Sequence, residues 1–286
     1  SFSFAKVPYG TWIIREIESP KGYVLSEEEI AVTIGKVDEV VEIELVNYFI
    51  KGNIALTKVD EDYPDNKLSG AVFEVYSDTN GDGKLDKDDT LLGEMKELDG
   101  GVYQMSELRY GKYLVKETKA PTGFVLDENV YSVSVEENGK TYTVENKAGV
   151  GFINAAQKGS LKIVKTSSDG KVEGFSFRVT GVDYDQTFKT DKNGEIVIEG
   201  LRIGDYTVSE VSDKASAGYI LPADKQATVK VDATAIVQMH NEFRDTPKTG
   251  DDFNLGLWVS LAALSVVGAG VLGFVGYKNR KKKKED

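Results

Sequence analysis

The chain has no cysteine, a single histidine, six prolines, three methionines and two tryptophans among its 286 residues. Without cysteine there is no disulfide framework, no thiol nucleophile and no cysteine-based zinc site. One histidine excludes a His-based metal centre and leaves little for general acid–base work on an external substrate. Few prolines argue against a disordered stalk, whereas abundant Gly, Val, Tyr and Thr suit short strands and turns. The formal net charge is −12. Six basic and four acidic residues follow Thr249, so the part ahead of it stands at −14, a poor match for nucleic acid or anionic lipid.

One long apolar run interrupts this polar chain, from Leu255 to Tyr277, bounded by Trp258 near its start and followed by Lys278-Asn279-Arg280-Lys281-Lys282-Lys283-Lys284. About 20 apolar residues cross a ~30 Å hydrocarbon core as a helix. The expectation is one transmembrane helix over 253–277, with the basic tail 278–286 cytoplasmic and everything before it outside. Ahead of the span stands Thr246-Pro247-Lys248-Thr249-Gly250-Asp251. The order of hexamer, span and basic tail resembles the cell-wall sorting signal of Gram-positive surface proteins, usually LPxTG, with Thr246 in place of Leu. That resemblance implies a sortase as partner, cleavage between Thr249 and Gly250, and transfer to an amine of peptidoglycan or of a pilin. The alternative is a permanent single-span tether. The chain opens at Ser1 with neither Met nor an apolar leader, which reads as the C-terminal part of a longer precursor.

A repeat organises the rest. Tyr9-Gly10-Thr11-Trp12-Ile13-Ile14-Arg15-Glu16, then Pro20-Lys21-Gly22-Tyr23, returns as Tyr110-Gly111-Lys112-Tyr113-Leu114-Val115-Lys116-Glu117, then Pro121-Thr122-Gly123-Phe124. A looser copy runs Ile203-Gly204-Asp205-Tyr206-Thr207-Val208-Ser209-Glu210, then Gly218-Tyr219, with Ser212–Ala217 intervening and no proline. Each copy is followed by an alternating segment ending in Asn: 43–47, 150–154 and 237–241. Two copies are preceded by an alternating strand ending in Lys, at 54–58 and 161–165. The expected organisation is a truncated module at 1–51, two complete modules at 52–157 and 158–244, and a sorting motif at 245–252. Modules that abut without a linker suggest a semi-rigid rod. Frequent turns, including Asn138-Gly139 and Asn193-Gly194 as hairpin turns, predict β-sandwiches.

Alternation then exposes an anomaly, because residues i, i+2 and i+4 of a strand share a face. Ile54 and Leu56 put Lys58 on the apolar face, Tyr113 and Val115 do so for Glu117, and Val150 and Phe152 for Asn154. Lys165, Glu210 and Asn241 repeat the pattern, as do Glu16 and Asn47 of the truncated module. A buried unpaired charge costs several kcal/mol, so one such residue would be a strand end curling into solvent. Eight coincidences of three residue types in fixed order need a common cause. Amide formation between Lys and Asn side chains supplies one. Burial favours the neutral amine and the protonated Glu; that Glu can polarise the Asn carboxamide through its oxygen and shuttle protons while ammonia leaves. Proximity supplies the rate, and no cofactor is required.

The Lys strand, the Glu box and the terminal Asn strand together resemble the Cna B-type (SpaA-type pilin) domain. The resemblance implies an all-β, prealbumin-like β-sandwich with an intramolecular Lys–Asn isopeptide bond. Carried over, Lys58, Glu117 and Asn154 are amine, catalytic acid and amide of one module, and Lys165, Glu210 and Asn241 those of the next. Glu16 and Asn47 match in the first, whose Lys would precede Ser1.

Residues 78–89 also match an EF-hand loop. Asp78, Asn80, Asp82, Asp86 and Asp89 stand at ligand positions, Gly83 at the sharp turn, and the Lys84 carbonyl at position seven. Calcium is the expected cation; an acidic, solvated loop is the alternative. His240, opposite in facing to Asn241, reads as a surface residue, and Tyr63–Lys67 as a turn. The functional expectation is a sortase-anchored stalk of an adhesin or pilin at the cell surface, wall-bound after a membrane stage. Any host ligand would be met by domains ahead of Ser1. The alternative is the anchor region of a secreted enzyme whose catalytic domain lies upstream.

Overall fold

The computed structural model describes residues 2–244, and within them all regular structure is β. The first strands are β1 (Gly10–Arg15) and β2 (Glu29–Ile34), an isolated antiparallel pair. Next come β3 (Lys51–Asp60), β4 (Val72–Ser77), β5 (Thr90–Glu94), β6 (Lys96–Glu97), β7 (Val102–Arg109), β8 (Gly111–Lys119), β9 (Val130–Val135), β10 (Thr141–Thr143) and β11 (Phe152–Asn154). They form two sheets, β10-β3-β7-β6 with β11 also on β3, and β5-β4-β8-β9. The last set is β12 (Lys158–Ser167), β13 (Ser176–Gly181), β14 (Tyr184–Lys189), β15 (Glu195–Arg202), β16 (Gly204–Val211), β17 (Tyr219–Ile220), β18 (Lys225–Val229) and β19 (Thr234–Phe243). Their sheets are β15-β12-β19-β17 and β14-β13-β16-β18.

Each pair of sheets encloses its own core. Ile54, Leu56, Phe73, Val75, Tyr103, Val115 and Phe152 fill the first, and Leu161, Ile163, Phe177, Val179, Val208 and Met239 the second. The alternation read from sequence is the cause: β3 and β12 bury every second side chain against the facing sheet. Each such Val, Leu or Phe taken out of water stabilises by roughly 1.5–3 kcal/mol. A carbonyl four residues upstream receives a hydrogen bond from the aromatic residue of each Glu box. Tyr113 Oη–H donates to Arg109 O at 2.6 Å, Tyr206 Oη–H to Arg202 O at 2.9 Å, and Trp12 Nε1–H to Pro8 O at 3.0 Å.

In the middle and last sets the first and last strands run parallel, in the same register. Lys58 lies opposite Phe152 and Asp60 opposite Asn154; Lys165 lies opposite Met239 and Ser167 opposite Asn241. That register puts a Lys and an Asn of neighbouring strands on one inward face.

Three expectations are corrected. Asn138-Gly139 and Asn193-Gly194 turn the chain, with Gly139 at φ 75° and Gly194 at φ 78°, but neither closes a hairpin. β9 and β10 belong to opposite sheets, as do β14 and β15. The turn sets a local reversal, whereas the sheet joined depends on which free edge buries the next apolar face, here β3 and β12. Residues 43–47 form no strand, because among the described residues nothing stands where β3 and β12 stand in the later sets. Val150 is in a turn, so the Asn154 strand begins only at Phe152.

Candidate functional site

The middle set brings its three polar residues together. Lys58, Glu117 and Asn154 come from β3, β8 and β11, and none is more than 3% exposed. Lys58 Nζ lies 3.7 Å from Glu117 Oε1 and donates to the Phe152 carbonyl at 3.1 Å, with the Phe152 ring centroid 5.0 Å away. Asn154 Nδ2 donates to both Glu117 oxygens at 2.9 Å, and the Asp127 backbone N–H donates to Glu117 Oε2 at 2.8 Å. Asn154 Oδ1 is buried without a partner. The amide ends are thus reversed from the expected pairing of Glu117 with the amide oxygen. A carboxylate only accepts and draws the NH₂ end, whereas a protonated carboxyl has a hydroxyl to offer the oxygen.

Burial dominates the electrostatics. It pushes the Lys58 amine down to about 8, against the opposing pull of Glu117 and Asp127. It pushes the Glu117 carboxyl up, against hydrogen bonds from the Asp127 N–H and Asn154 and the charge of Lys58. Both groups move toward their neutral forms, the protonation states in which an amine is nucleophilic and a carboxyl can donate.

In the last set, Lys165, Glu210 and Asn241 are likewise buried, and Asn241 Nδ2 donates to Glu210 Oε1 at 2.7 Å. Lys165 instead points its amine at the Thr166 carbonyl and the Phe175 ring, 4.2 Å from the centroid, and makes no ion pair with Glu210. Glu210 Oε2 and Asn241 Oδ1 have no partner. Burial lowers the Lys165 pKa and raises that of Glu210. The Ser212–Ala217 insertion folds into a turn capped by Asp213, which accepts from Ala215 N at 2.8 Å and Ser216 N at 3.2 Å. No backbone N–H reaches Glu210 there. In the first set, Asn47 Nδ2 donates to Glu16 Oε2 at 2.6 Å and Ser26 N to the same oxygen at 2.8 Å. Both partners are half-buried, and Trp12, which by alternation shares the face of Glu16, is 43% exposed.

Sequence reading missed Asp127 and Asn146, which brace the middle site. A signal existed in the repeat: Ser26 follows Glu16 by ten residues, as Asp127 follows Glu117, and both backbone N–H groups bind the Glu.

The 78–89 loop folds its side chains onto its own backbone. Asp78 accepts from Gly81 and Gly83, Asn80 from Asp82, Asp82 from Lys84, and Asp89 from Thr79 and Asp86. Asn80 Nδ2 donates to Asp86 Oδ2 at 3.1 Å. Among the described residues, no group of three or more His, Cys, Asp or Glu side chains is gathered as a metal site. His240 is exposed, bonded through Nδ1 to Thr166 Oγ1 at 2.8 Å. Thr246, Pro247, Lys248, Thr249 and Gly250, and the apolar run behind them, lie outside the described residues; within those, no helix is long and apolar enough to cross a membrane.

This chain belongs to the SpaA prealbumin-like fold domain family, which matches residues 1–48, 52–148 and 159–243. Domains of that family are structural and act on no external substrate. Among solved structures, the Bacillus anthracis TIE protein is 26% identical, with a TM-score of 0.63 over 83% of this chain and 42% of that one. The present chain therefore spans less than half of that relative. The minor pilin GBS52 of Streptococcus agalactiae is 17% identical over 70% of this chain and 99% of its own, with a TM-score of 0.31. The pilus adhesin SpaC of Lactobacillus rhamnosus GG is 14% identical over 69% and 32%, with a TM-score of 0.43. These two superpose only loosely. Among curated protein sequences none matches this chain.

Proposed function

We propose that this chain is the wall-proximal stalk of a Gram-positive adhesin or pilin, built of self-crosslinked modules at 52–157 and 158–244 behind a partial one at 1–51. The observation that carries this reading is the buried trio of Lys58, Glu117 and Asn154, in which Glu117 touches Asn154 at 2.9 Å and lies 3.7 Å from the Lys58 amine. A Lys sealed in an apolar core beside a carboxylic acid and an amide has one productive outlet. Lys58 Nζ attacks Asn154 Cγ, an N–C bond forms, and the Cγ–Nδ2 bond breaks. The departing nitrogen takes up one proton from the attacking amine, relayed by Glu117, and leaves as ammonia. No oxidant and no cofactor enters. Once Glu117 is protonated, a half-turn of the amide places Oδ1 on its hydroxyl, where the polarised carbonyl is attacked.

Attachment is the second half of the proposal. Sortase cleaves between Thr249 and Gly250 of Thr246-Pro247-Lys248-Thr249-Gly250, after residues 253–277 have held the precursor in the membrane, and passes Thr249 to a peptidoglycan or pilin amine. Calcium is a third component. What supports it is the spacing of four carboxylates, one amide and the Lys84 carbonyl along residues 78–89, hard oxygen donors on either side of Gly83, whose φ of 77° makes the tight turn such loops need.

Intact mass tests the core of this reading. A recombinant 52–244 chain should weigh two ammonias less than its sequence, with no enzyme added. Glu117→Ala should restore one of them. A wild-type mass equal to the sequence mass would leave only a plain sandwich spacer.

A further inference from the structure

The last strand of the middle set is broken, and its repair lies beside the proposed reaction. β10 leaves β3 at the Thr143–Ala55 pair and β11 rejoins at Phe152–Lys58, so eight residues span two residues of β3. In the last set β19 runs unbroken along β12 from Thr234 to Asn241. A three-residue strand on an edge has few ladder bonds to hold it, yet β11 carries Asn154. Asn146 supplies what the ladder lacks. Its Oδ1 accepts the Ile153 N–H at 2.6 Å and its Nδ2 donates to Ile153 O at 2.8 Å, so the side-chain amide pairs with the peptide next to Asn154 as a strand residue would. The same Nδ2 donates to Asp127 Oδ2 at 2.8 Å, which also accepts from Tyr131 Oη–H at 2.7 Å. Asp127 Oδ1 accepts from the Asn129 backbone and side chain, and the Asp127 backbone N–H holds Glu117.

We propose that Asp127 and Asn146 are positioning residues for the Lys58–Asn154 bond, splinting β11 so that the Asn154 amide stays on Glu117. This inference rests on the isopeptide reading above and adds the means by which one module holds its acid and amide together. The two residues bridge both reacting sides at once: Asp127 touches Glu117 through its backbone, and Asn146 touches the Asn154 strand. The charges facing Glu117 are Lys58 on β3 and Asp127 after β8, with neutral Asn154 on β11. Those facing Lys58 are Glu117 and Asp127. Burial would raise the Asp127 carboxyl, but hydrogen bonds from Asn146, Tyr131 and Asn129 hold it below the ordinary range, so it stays ionised. Its negative charge favours the proton on both Glu117 and Lys58. Loss of that charge therefore moves both titrations to lower pH, whereas loss of Asn146 alters geometry.

The experiment uses the full chain, freshly translated, captured in denaturant and released to fold over a series of pH values. Intact mass follows ammonia loss, peptide mapping assigns it to Lys58–Asn154 or Lys165–Asn241, and circular dichroism reads folding in parallel. Asn146→Ala is expected to fold and to close Lys58–Asn154 about ten- to a hundredfold more slowly, as a misplaced amide should, with its pH–rate profile unmoved. Asp127→Asn retains the backbone N–H to Glu117 and is expected to shift both limbs of the profile to lower pH. Closure of Lys165–Asn241 in the same molecules is expected to keep its wild-type rate. The proposal is overturned if both variants close at the wild-type rate with the wild-type profile, or if the Lys165–Asn241 bond slows equally. Should Asn146→Ala fail to fold, the Asp127→Asn profile decides alone. A wild-type chain that never closes Lys58–Asn154 sinks the isopeptide reading, and this inference with it.

Discussion

Lys58 and Glu117 are both fully buried, and each is moved toward neutrality by the same desolvation. A chain unable to react makes that cost measurable. In Asn154→Ala the lowered Lys58 pKa means that the folded state resists the ammonium. Its penalty is present below about 8 and is relieved as pH rises toward the unfolded value of 10.5. The raised Glu117 works in the other direction, removing stability as pH rises from its unfolded value of 4.5 through the folded one. Asn154→Ala should therefore melt lowest near neutral pH and regain roughly 3 kcal/mol on going above pH 10. The closed wild-type chain keeps the Glu117 carboxyl but has no Lys58 amine left to titrate, so it should lack the recovery toward pH 10; an equal recovery in both would contradict closure. Lys58→Ala should lose the bond and melt lower, since a cross-link over about 100 residues restricts the unfolded chain by roughly 4–5 kcal/mol on the disulfide entropy model. Lys162 lies on the outer face, paired with Glu195 at 2.7 Å, and Lys162→Ala should change neither mass.

β3 and β12 carry the design of their sets. Each is ten residues long, buries alternate side chains, and accepts the last strand in parallel with Lys two pairs ahead of Asn. The alternation was legible because it depends only on side-chain periodicity. The turns after β9 and β14 were misread for the complementary reason: an Asn-Gly pair specifies a reversal, not the sheet that receives the next strand. The loop between β4 and β5 is a local device and was legible as a motif. If it binds calcium, millimolar Ca²⁺ should raise the melting temperature of residues 52–157 by ligand linkage to the folded state. Asp78→Ala combined with Asp82→Ala should remove that gain. A melt indifferent to Ca²⁺ would return the loop to an acidic, solvated turn.

Along the whole molecule, successive sets meet through repeated contacts. The Arg109 guanidinium lies 4.0 Å from the centre of the Phe49 ring. Arg202 donates to both Asp60 oxygens at 2.7 and 2.8 Å and to Asp62 at 3.1 Å, while Lys158 pairs with Asp62 at 3.1 Å. Burial would raise Asp60, but the Arg202 hydrogen bonds and charge, together with the Asp62 and Tyr63 backbone N–H groups, outweigh it and keep the carboxyl below its usual range. On the proposed reading, tension entering β3 passes from Lys58 to Asn154 and on into β12, leaving most intervening strands unloaded, as a tethered stalk under shear requires. Anchoring is tested in the cell. On the proposed reading, protein released from the wall by muramidase should end at Thr249, and Thr249→Ala should hold it in the membrane fraction, because the acyl-enzyme would form at that carbonyl. Wild-type protein found intact through Asp286 in the membrane, with sortase present, would contradict this.

The amino-acid order alone determined the repeat, the all-β class and the inward placement of Lys58, Glu117 and Asn154, since each is a matter of spacing along the chain. Assembly decided the rest. Lys165 is as inward as Lys58, yet its amine faces Thr166 and Phe175 rather than Glu210, because the ring and carbonyl beside it come from the local packing. Asn47 keeps its Glu16 but has no strand around it, since a strand exists only where another offers an edge. Asp127 and Asn146 meet across 19 residues, at a break in a ladder that no periodicity announces. Periodicity reports the face a side chain takes; only the packed sandwich determines which atoms it finds there.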